Sequence, residues 1–301
     1  MPELPDVAVY VERLADLLAG QVIEQARLKS AFLLRSFDPP LPAVVGKRVL
    51  ATSRIGKRIV LELEDDLLLV FHLMIAGRLH WKERGVKLTR KTDLFALDFA
   101  TGSLLLTEAG TKKRASLHVV RGRAALTQFE RGGVEPLEST PKEFAEAIVR
   151  ENRTLKRALT DPRLVSGVGN AYSDEILHRA KLSPLKRTHD LSSAEIERLR
   201  LATIDVLKEW VARLRAEAAG GFPEKVTAFR KEMAVHGKYK KPCPVCGNPV
   251  QRIVYAENEA NYCAQCQTGG RLLADRALSR LLGEDWPRSL EELEELKRPR
   301  E

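Results

Sequence analysis

The sequence predicts an α+β chain of several domains: a β-rich lobe first, a helical lobe second and a small cysteine module last. Three observations carry this. From about residue 21 to 126 the chain runs in short stretches rich in Val, Leu, Ile and Thr, separated by charges and glycines. From 141 to 217 apolar residues repeat with a helical period. All four cysteines fall between 243 and 266. A length of 301 residues accommodates two or three domains at roughly 100–200 residues each, and 44% hydrophobic residues supply a core.

Residues 6–19 read as a helix, because Val7, Val11, Leu14 and Leu18 share a face and Gly20 can end it. VLATSRIG, RIVLELE, LLLVFHLM, GRLHW, LFALDFA and GSLLLTEA then read as strands, with a hairpin turn at Ala100-Thr101-Gly102. Several short antiparallel strands imply a sandwich or a barrel. Helices follow at 141–150, 153–160, 170–180 and 192–217. Pro141 behind Thr140 suits a first turn, and Ser192 or Ser193 can cap the long helix. Gly220, Gly221 and Pro223 mark a break. The tail from 283 reads at 288–297 as a solvated helix.

Lys plus Arg number 50 against 41 Asp plus Glu, a net charge of +9. The charge is uneven. The tail carries seven acids and four bases, so the rest of the chain is +12, and residues 224–242 alone carry +4. This excess favours a polyanion, either nucleic acid or an acidic membrane surface. LLLVFHLMIAG near residue 70 is too short to span a bilayer. The acidic start MPELPDVAVYVERLAD lacks the pattern of a signal peptide. A cytoplasmic location is therefore expected.

Cys243, Cys246, Cys263 and Cys266 form two C-x2-C pairs separated by sixteen residues. Each pair fits a knuckle that aims two thiolates at one ion, and four thiolates suit tetrahedral zinc. The strand-like QRIVYA between them suggests a hairpin ribbon. Two disulfides or an iron–sulfur centre are the alternatives. Gly167 and Gly169 stand directly before the helix that starts near Asn170. Such a turn lets a backbone approach a phosphate at a helix N-terminus, with Lys156, Arg157 and Arg163 upstream as cations. An ordinary packed helical turn has the same pattern. Finally, Pro2 follows Met1, so processing exposes a secondary amine with Glu3 beside it. An N-terminal amine with a pKa near 7.7–8 is a usable nucleophile at neutral pH. Most chains that begin Met-Pro use neither residue in chemistry.

MPELPDV, RIGKR around Lys57, FHLMIAGRL, SGVGNAYSDEIL, VHGKYKKPC and the final YCAQCQ occur in one order. Together they resemble the formamidopyrimidine-DNA glycosylase and endonuclease VIII family, and MPELP is closer to the formamidopyrimidine branch. The resemblance spans residues 1 to about 282. It implies an N-terminal antiparallel β-sandwich with flanking helices, a helix–two-turns–helix domain and a C-terminal β-hairpin zinc ribbon. The expected boundaries are 1–130, 131–220, 221–282 and an acidic tail at 283–301. The implied function is base-excision repair by a monomer, which flips an oxidised, purine-derived base out of duplex DNA. Pro2 then attacks C1′, Glu3 assists at the sugar, and strand cleavage follows by β-elimination. The resemblance gives Lys57 a proton-transfer and phosphate role. It makes His72 and Asn170 DNA contacts, beside Lys156 and Gly169, which the glycine turn already offers as DNA-binding residues, and implies one structural zinc on the four cysteines.

The chain also departs from the family pattern. Asn258 stands where the family has a hairpin Arg that grips the flanking phosphates, and it lacks that charge and forked donor set. Ile75 replaces the Met that fills the hole left by a flipped base. The Arg and Phe wedge has no match in TEAGTKKRASLHVV, although Lys112, Lys113 or Arg114 offers a cation. Asp6 replaces a Glu. These changes motivate a rival reading, a non-catalytic protein that binds damaged or abasic DNA on the same scaffold.

Overall fold

The computed structural model describes residues 1–224, 226–255, 258–273 and 287–297. Two compact units result, one of Met1–Arg131 with Lys208–Ala228, the other of Gly132–Leu207 with Phe229–Glu301.

The first unit is a β-sandwich. One sheet has the order β1 (Gln25–Leu28), β6 (Asp93–Phe99), β7 (Gly102–Glu108), β5 (Gly77–Lys82). The other has the order β2 (Val49–Ile55), β3 (Arg58–Leu63), β4 (Leu67–His72), β8 (Ser116–Arg121). Neighbouring strands are antiparallel throughout. Alternate residues Ile59, Leu61 and Leu63 of β3, with Leu69 and Phe71 of β4, enter the central core alongside Phe95, Leu97, Leu104 and Leu106. The intervening Val60, Leu68 and Val70 face outward, yet Phe129 from the 3-10 turn Arg123–Phe129 covers them. Burial on both faces explains why these two strands read as continuous apolar runs.

Helix α1 spans Leu4–Leu18 and sends Val7, Tyr10, Leu14 and Leu18 into the same core. It starts at Leu4 rather than at residue 6, because the Asp6 carboxylate accepts the Glu3 backbone N–H at 2.9 Å and Pro5 is tolerated in a first turn. Strands β1 and β8 are absent from the sequence prediction. QARL is four residues with no buried position, and SLHVVR follows a stretch of charges. Both acquire strand character only through their partners β6 and β4.

The second unit holds α2 (Pro141–Val149), α3 (Leu155–Thr160), α4 (Asn170–Arg179), β9 (Val250–Tyr255), β10 (Asn258–Cys263) and α6 (Ala264–Thr268). Helix α5 (Ser193–Ala218) contributes to both units. The starts of α2 and α5 are capping boxes. Thr140 N–H donates to Glu143 at 2.8 Å, and Glu143 N–H donates back to Thr140 Oγ1 at 3.3 Å. Ser192 and Glu195 repeat the arrangement at 2.9 and 3.3 Å. The tail helix forms as α7 (Leu290–Lys297) but is not fully solvated. Leu290 and Leu293 pack against Ile253, Tyr262, Leu272 and Leu273, and Leu272 N–H donates to Arg288 O at 2.9 Å. Among the described residues no helix is long and apolar enough to cross a membrane.

Candidate active site and metal centre

The N-terminus is enclosed. Pro2 and Glu3 are buried, and Asp6 holds the Glu3 backbone at the start of α1. The shorter Asp6 therefore still reaches its partner. The terminal amine, carried here by Met1, sits below its ordinary pKa. Burial is the main cause; Glu3 opposes it, Arg78 adds to it, Asp6 opposes and Lys57 adds. These four side chains therefore lie within electrostatic reach of the amine. Lys57, in the turn between β2 and β3, is also lowered by burial, with Glu3 opposing. A lysine and an amine that both lose their proton more readily than usual, beside a carboxylate, are groups suited to proton transfer.

His72 ends β4 opposite Arg58 on β3. Its pKa falls to about 4, first through burial and then through Arg58, Lys57, Arg131 and His118. The free protein therefore presents a neutral imidazole there. After His72 the chain turns tightly. Gly77 N–H donates to Leu73 O at 2.9 Å, Met74 takes φ 52°, and Ile75 stands 55% exposed. Arg78 Nη1 donates to the Ile75 and Gly77 carbonyls and its Nε to Val226 O at 2.6 Å. A Cβ on Gly77 would lie 2.3 Å from Leu73 O. Gly77→Ala should therefore destabilise the protein by about 1–3 kcal/mol, the usual overpacking cost, read as a lower urea midpoint at unchanged m-value.

The loop between β7 and β8 has no aromatic tip. Buried Glu108 accepts the Arg114 and Ala115 N–H groups at 3.0–3.3 Å, and Lys113 donates to the Glu108 carbonyl. Lys112 and Arg114 remain exposed.

In the second unit, Gly167 adopts φ 77°, a conformation that favours glycine, whereas Gly169 is extended and caps α4 without a side chain. Asn170 follows as the partly exposed first residue of the helix. Lys156 does not extend to the surface. It is 8% exposed, and its Nζ donates to Asn170 O at 2.6 Å, Ser173 Oγ at 2.8 Å and Asp174 Oδ1 at 2.6 Å. An ammonium has three donors, and all three are used inside. Its geometry corrects the expectation of a direct phosphate contact: Lys156 holds the turn from beneath.

Asp174 also accepts from His236 Nδ1 at 2.8 Å and Asn261 Nδ2 at 3.5 Å. Next to it, Glu175 accepts the backbone N–H groups of Ala234, Val235 and His236. Helix α4 thus ties the glycine turn, the VHG loop and β10 together. Sequence reasoning missed Arg78, Asp174, Glu175, His178 and His236. The signal available was two adjacent acids, Asp174 and Glu175, in a helix whose residues Ala171 to His178 all turn out buried.

Hairpin strand β9 pairs with β10 and leads back to the cysteines. Asn258 opens β10 opposite Tyr255, and its side chain lies outside the described residues. Arg252, opposite Asn261, lies with Cζ 4.4 Å from the Tyr239 ring centroid and Nη1 3.6 Å from Glu259.

Cys243, Cys246, Cys263 and Cys266 place their sulfurs within 4.8 Å of one another. Tetrahedral zinc with Zn–S of about 2.3 Å needs a cluster of this size and an all-sulfur donor set. His178, at the end of α4, has Nε2 3.2 Å from Cys243 Sγ. A thiolate can only accept, so the imidazole donates. Such an outer partner restrains its ligand, and His178→Phe should speed zinc loss to a chelator or weaken binding by roughly 10-fold or more. Colorimetric zinc release measures this.

Three family models match the chain. The formamidopyrimidine-DNA glycosylase N-terminal domain covers residues 1–115, the H2TH domain 133–218, and the zinc finger found in FPG and IleRS 240–269. The formamidopyrimidine-DNA glycosylase of Desulforamulus reducens is 32% identical over 281 residues, covering 89% of this chain and 99% of that protein. The chain belongs to the formamidopyrimidine-DNA glycosylase family. A formamidopyrimidine-DNA glycosylase-like protein of Mycobacterium tuberculosis is 39% identical over 151 residues, 50% of this chain and 93% of that one. The Lactococcus lactis enzyme, solved with a Fapy-dG containing DNA, superposes with TM-score 0.78 at 27% identity, covering 88% of this chain and 100% of that one. The Thermus thermophilus protein gives TM-score 0.75 at 31% identity, covering 88% and 98%. Membership in this glycosylase family and the four clustered thiols make the cysteine module a zinc site.

Proposed function

We propose that the protein is a bifunctional DNA glycosylase and AP lyase that removes an oxidised, purine-derived base from duplex DNA. The observation that carries this reading is the enclosed N-terminus: residue 2 is buried beside Glu3, whose backbone Asp6 holds, with Lys57 and Arg78 in electrostatic reach. After Met1 is removed, the Pro2 nitrogen donates its lone pair to C1′. The glycosidic C1′–N bond breaks, and the base leaves with the bonding electrons and a proton. Lys57 supplies that proton in this reading, which its nearness to the amine and to Glu3 supports. The N–H proton of the attacking Pro2 passes to Glu3, which delivers it to O4′ as the C1′–O4′ bond opens, leaving a C1′=N iminium and a Glu3 carboxylate. That carboxylate takes a C2′ proton, and the C3′–O3′ bond breaks with its electron pair leaving on the 3′ phosphate. Water hydrolyses the iminium and frees the amine. One zinc ion on the four thiolates holds the hairpin and takes no part in these steps.

Borohydride tests the reading, because hydride addition at C1′ converts the iminium into a stable amine. The expected result is a covalent protein–DNA adduct with an oxidised-guanine or abasic duplex. Tight, salt-sensitive binding with no adduct and no strand cleavage would instead establish the non-catalytic damage binder.

A further inference from the structure

We propose that Arg58, His118 and Arg131 form a second phosphodiester subsite beside Lys57 and His72, and that filling it places a proton on His118. Arg58 on β3, His72 on β4 and His118 on β8 share the outer face of one sheet, with registers Arg58↔His72 and Val70↔His118. Phe129 anchors the group. Arg58 Nη1 donates to its carbonyl at 3.3 Å, the guanidinium lies 5.6 Å from its ring centroid, and His118 meets that ring edge-on at 5.0 Å. Arg35 reaches the same corner, because its backbone N–H donates to Leu117 O at 2.8 Å.

Among the described residues, the charged groups that bear most on Arg58, His72 and His118 are the cations Arg35, Lys57, Arg131 and one another, while the Glu3 carboxylate faces Lys57. Burial first, and then the surrounding cations, drive both imidazoles toward the neutral form. An arriving anion removes the cationic part of that cost and favours the protonated ring. The chemistry favours a phosphodiester, since guanidinium forks match its oxygens in geometry and charge. The size favours two phosphates, because β3 to β8 spans two strand spacings of about 4.8 Å each, roughly 10 Å in all. Lys57 and Arg58 stand at one end of that row, His72 on the middle strand and His118 at the other end.

The inference rests on the duplex-DNA reading above, and its test uses undamaged duplex so that no covalent step intervenes. Calorimetric titration in buffers of different ionisation enthalpy reads the protons taken up on binding. Proton uptake is expected at a pH of about 6.5, in the ordinary histidine range, and smaller uptake with His118→Gln. The slope of log K against log salt should be shallower by about 0.9 in Arg131→Ala, one lost phosphate contact. Arg131 is exposed, so this variant should melt at the parent temperature. Unchanged uptake in His118→Gln, or an unchanged slope in Arg131→Ala, overturns the subsite. Borohydride trapping on an abasic duplex runs alongside. Proton-linked binding without a trap overturns the covalent reading alone, and a trap without proton uptake overturns the subsite alone.

Discussion

Acylating the nitrogen of Pro2 through an N-terminal extension should abolish the borohydride adduct and reduce strand cleavage to background. An amide nitrogen has no lone pair to give, whereas duplex binding by the rest of the protein should persist. Glu3→Gln should retain the amine and lower turnover by about 10²- to 10⁴-fold, the usual range for a lost proton-transfer group. The pH dependence follows from the amine's surroundings. Adduct formation requires the neutral amine, so its rate rises with pH and levels off at the amine pKa. Burial, with Arg78 and Lys57 adding to it, lowers the Met1 amine below its ordinary 8.0. The Pro2 amine exposed one residue on shares those surroundings, so its plateau should begin at lower pH than for an exposed N-terminus. Arg78→Met removes one lowering charge and should move the plateau to higher pH. Single-turnover trapping across pH measures the shift. A plateau at the ordinary position in the parent protein would mean that the enclosed N-terminus does not tune the nucleophile.

What could be read from the sequence was local. The zinc ligands announce themselves because each knuckle is four residues long and needs no partner beyond its own turn. The starts of α2 and α5 were legible for the same reason, since Thr140 with Glu143 and Ser192 with Glu195 complete their hydrogen bonds within one helical turn. Strands β1 and β8 were not, because a short strand acquires its identity from the neighbour it pairs with. The docking of Leu290 and Leu293 was hidden similarly: two leucines among acids look solvated until Tyr262 and Leu273 are placed beside them. The cationic corner at His118 needed three strands to assemble before its charge imbalance existed at all.

Lys156 is the sharpest case, and it carries the largest expected effect on stability. Its side chain lies among buried groups, and its partner Asp174 lies eighteen residues away and 1% exposed. Lys156→Met would leave the Asp174 carboxylate with only His236 and Asn261 in an interior site. Removing one member of a buried pair costs about 3–5 kcal/mol, because the other charge stays desolvated. Lys156→Met should therefore lower the urea midpoint markedly, and the Lys156→Met/Asp174→Leu double variant should recover part of that loss, the remainder being the buried His236 and Asn261 donors left without the Asp174 acceptor. Replacing both charges by apolar groups removes the desolvation cost along with the attraction. A lysine that acted by touching phosphate would behave in the opposite way. Its loss would leave stability unchanged and flatten the salt dependence of duplex binding by about 0.9 in log–log slope. The internal role predicts the steep slope kept and the stability lost. It also predicts weaker binding at every salt concentration alike, because the ammonium that steadies the Asn170 carbonyl no longer fixes the first turn of α4.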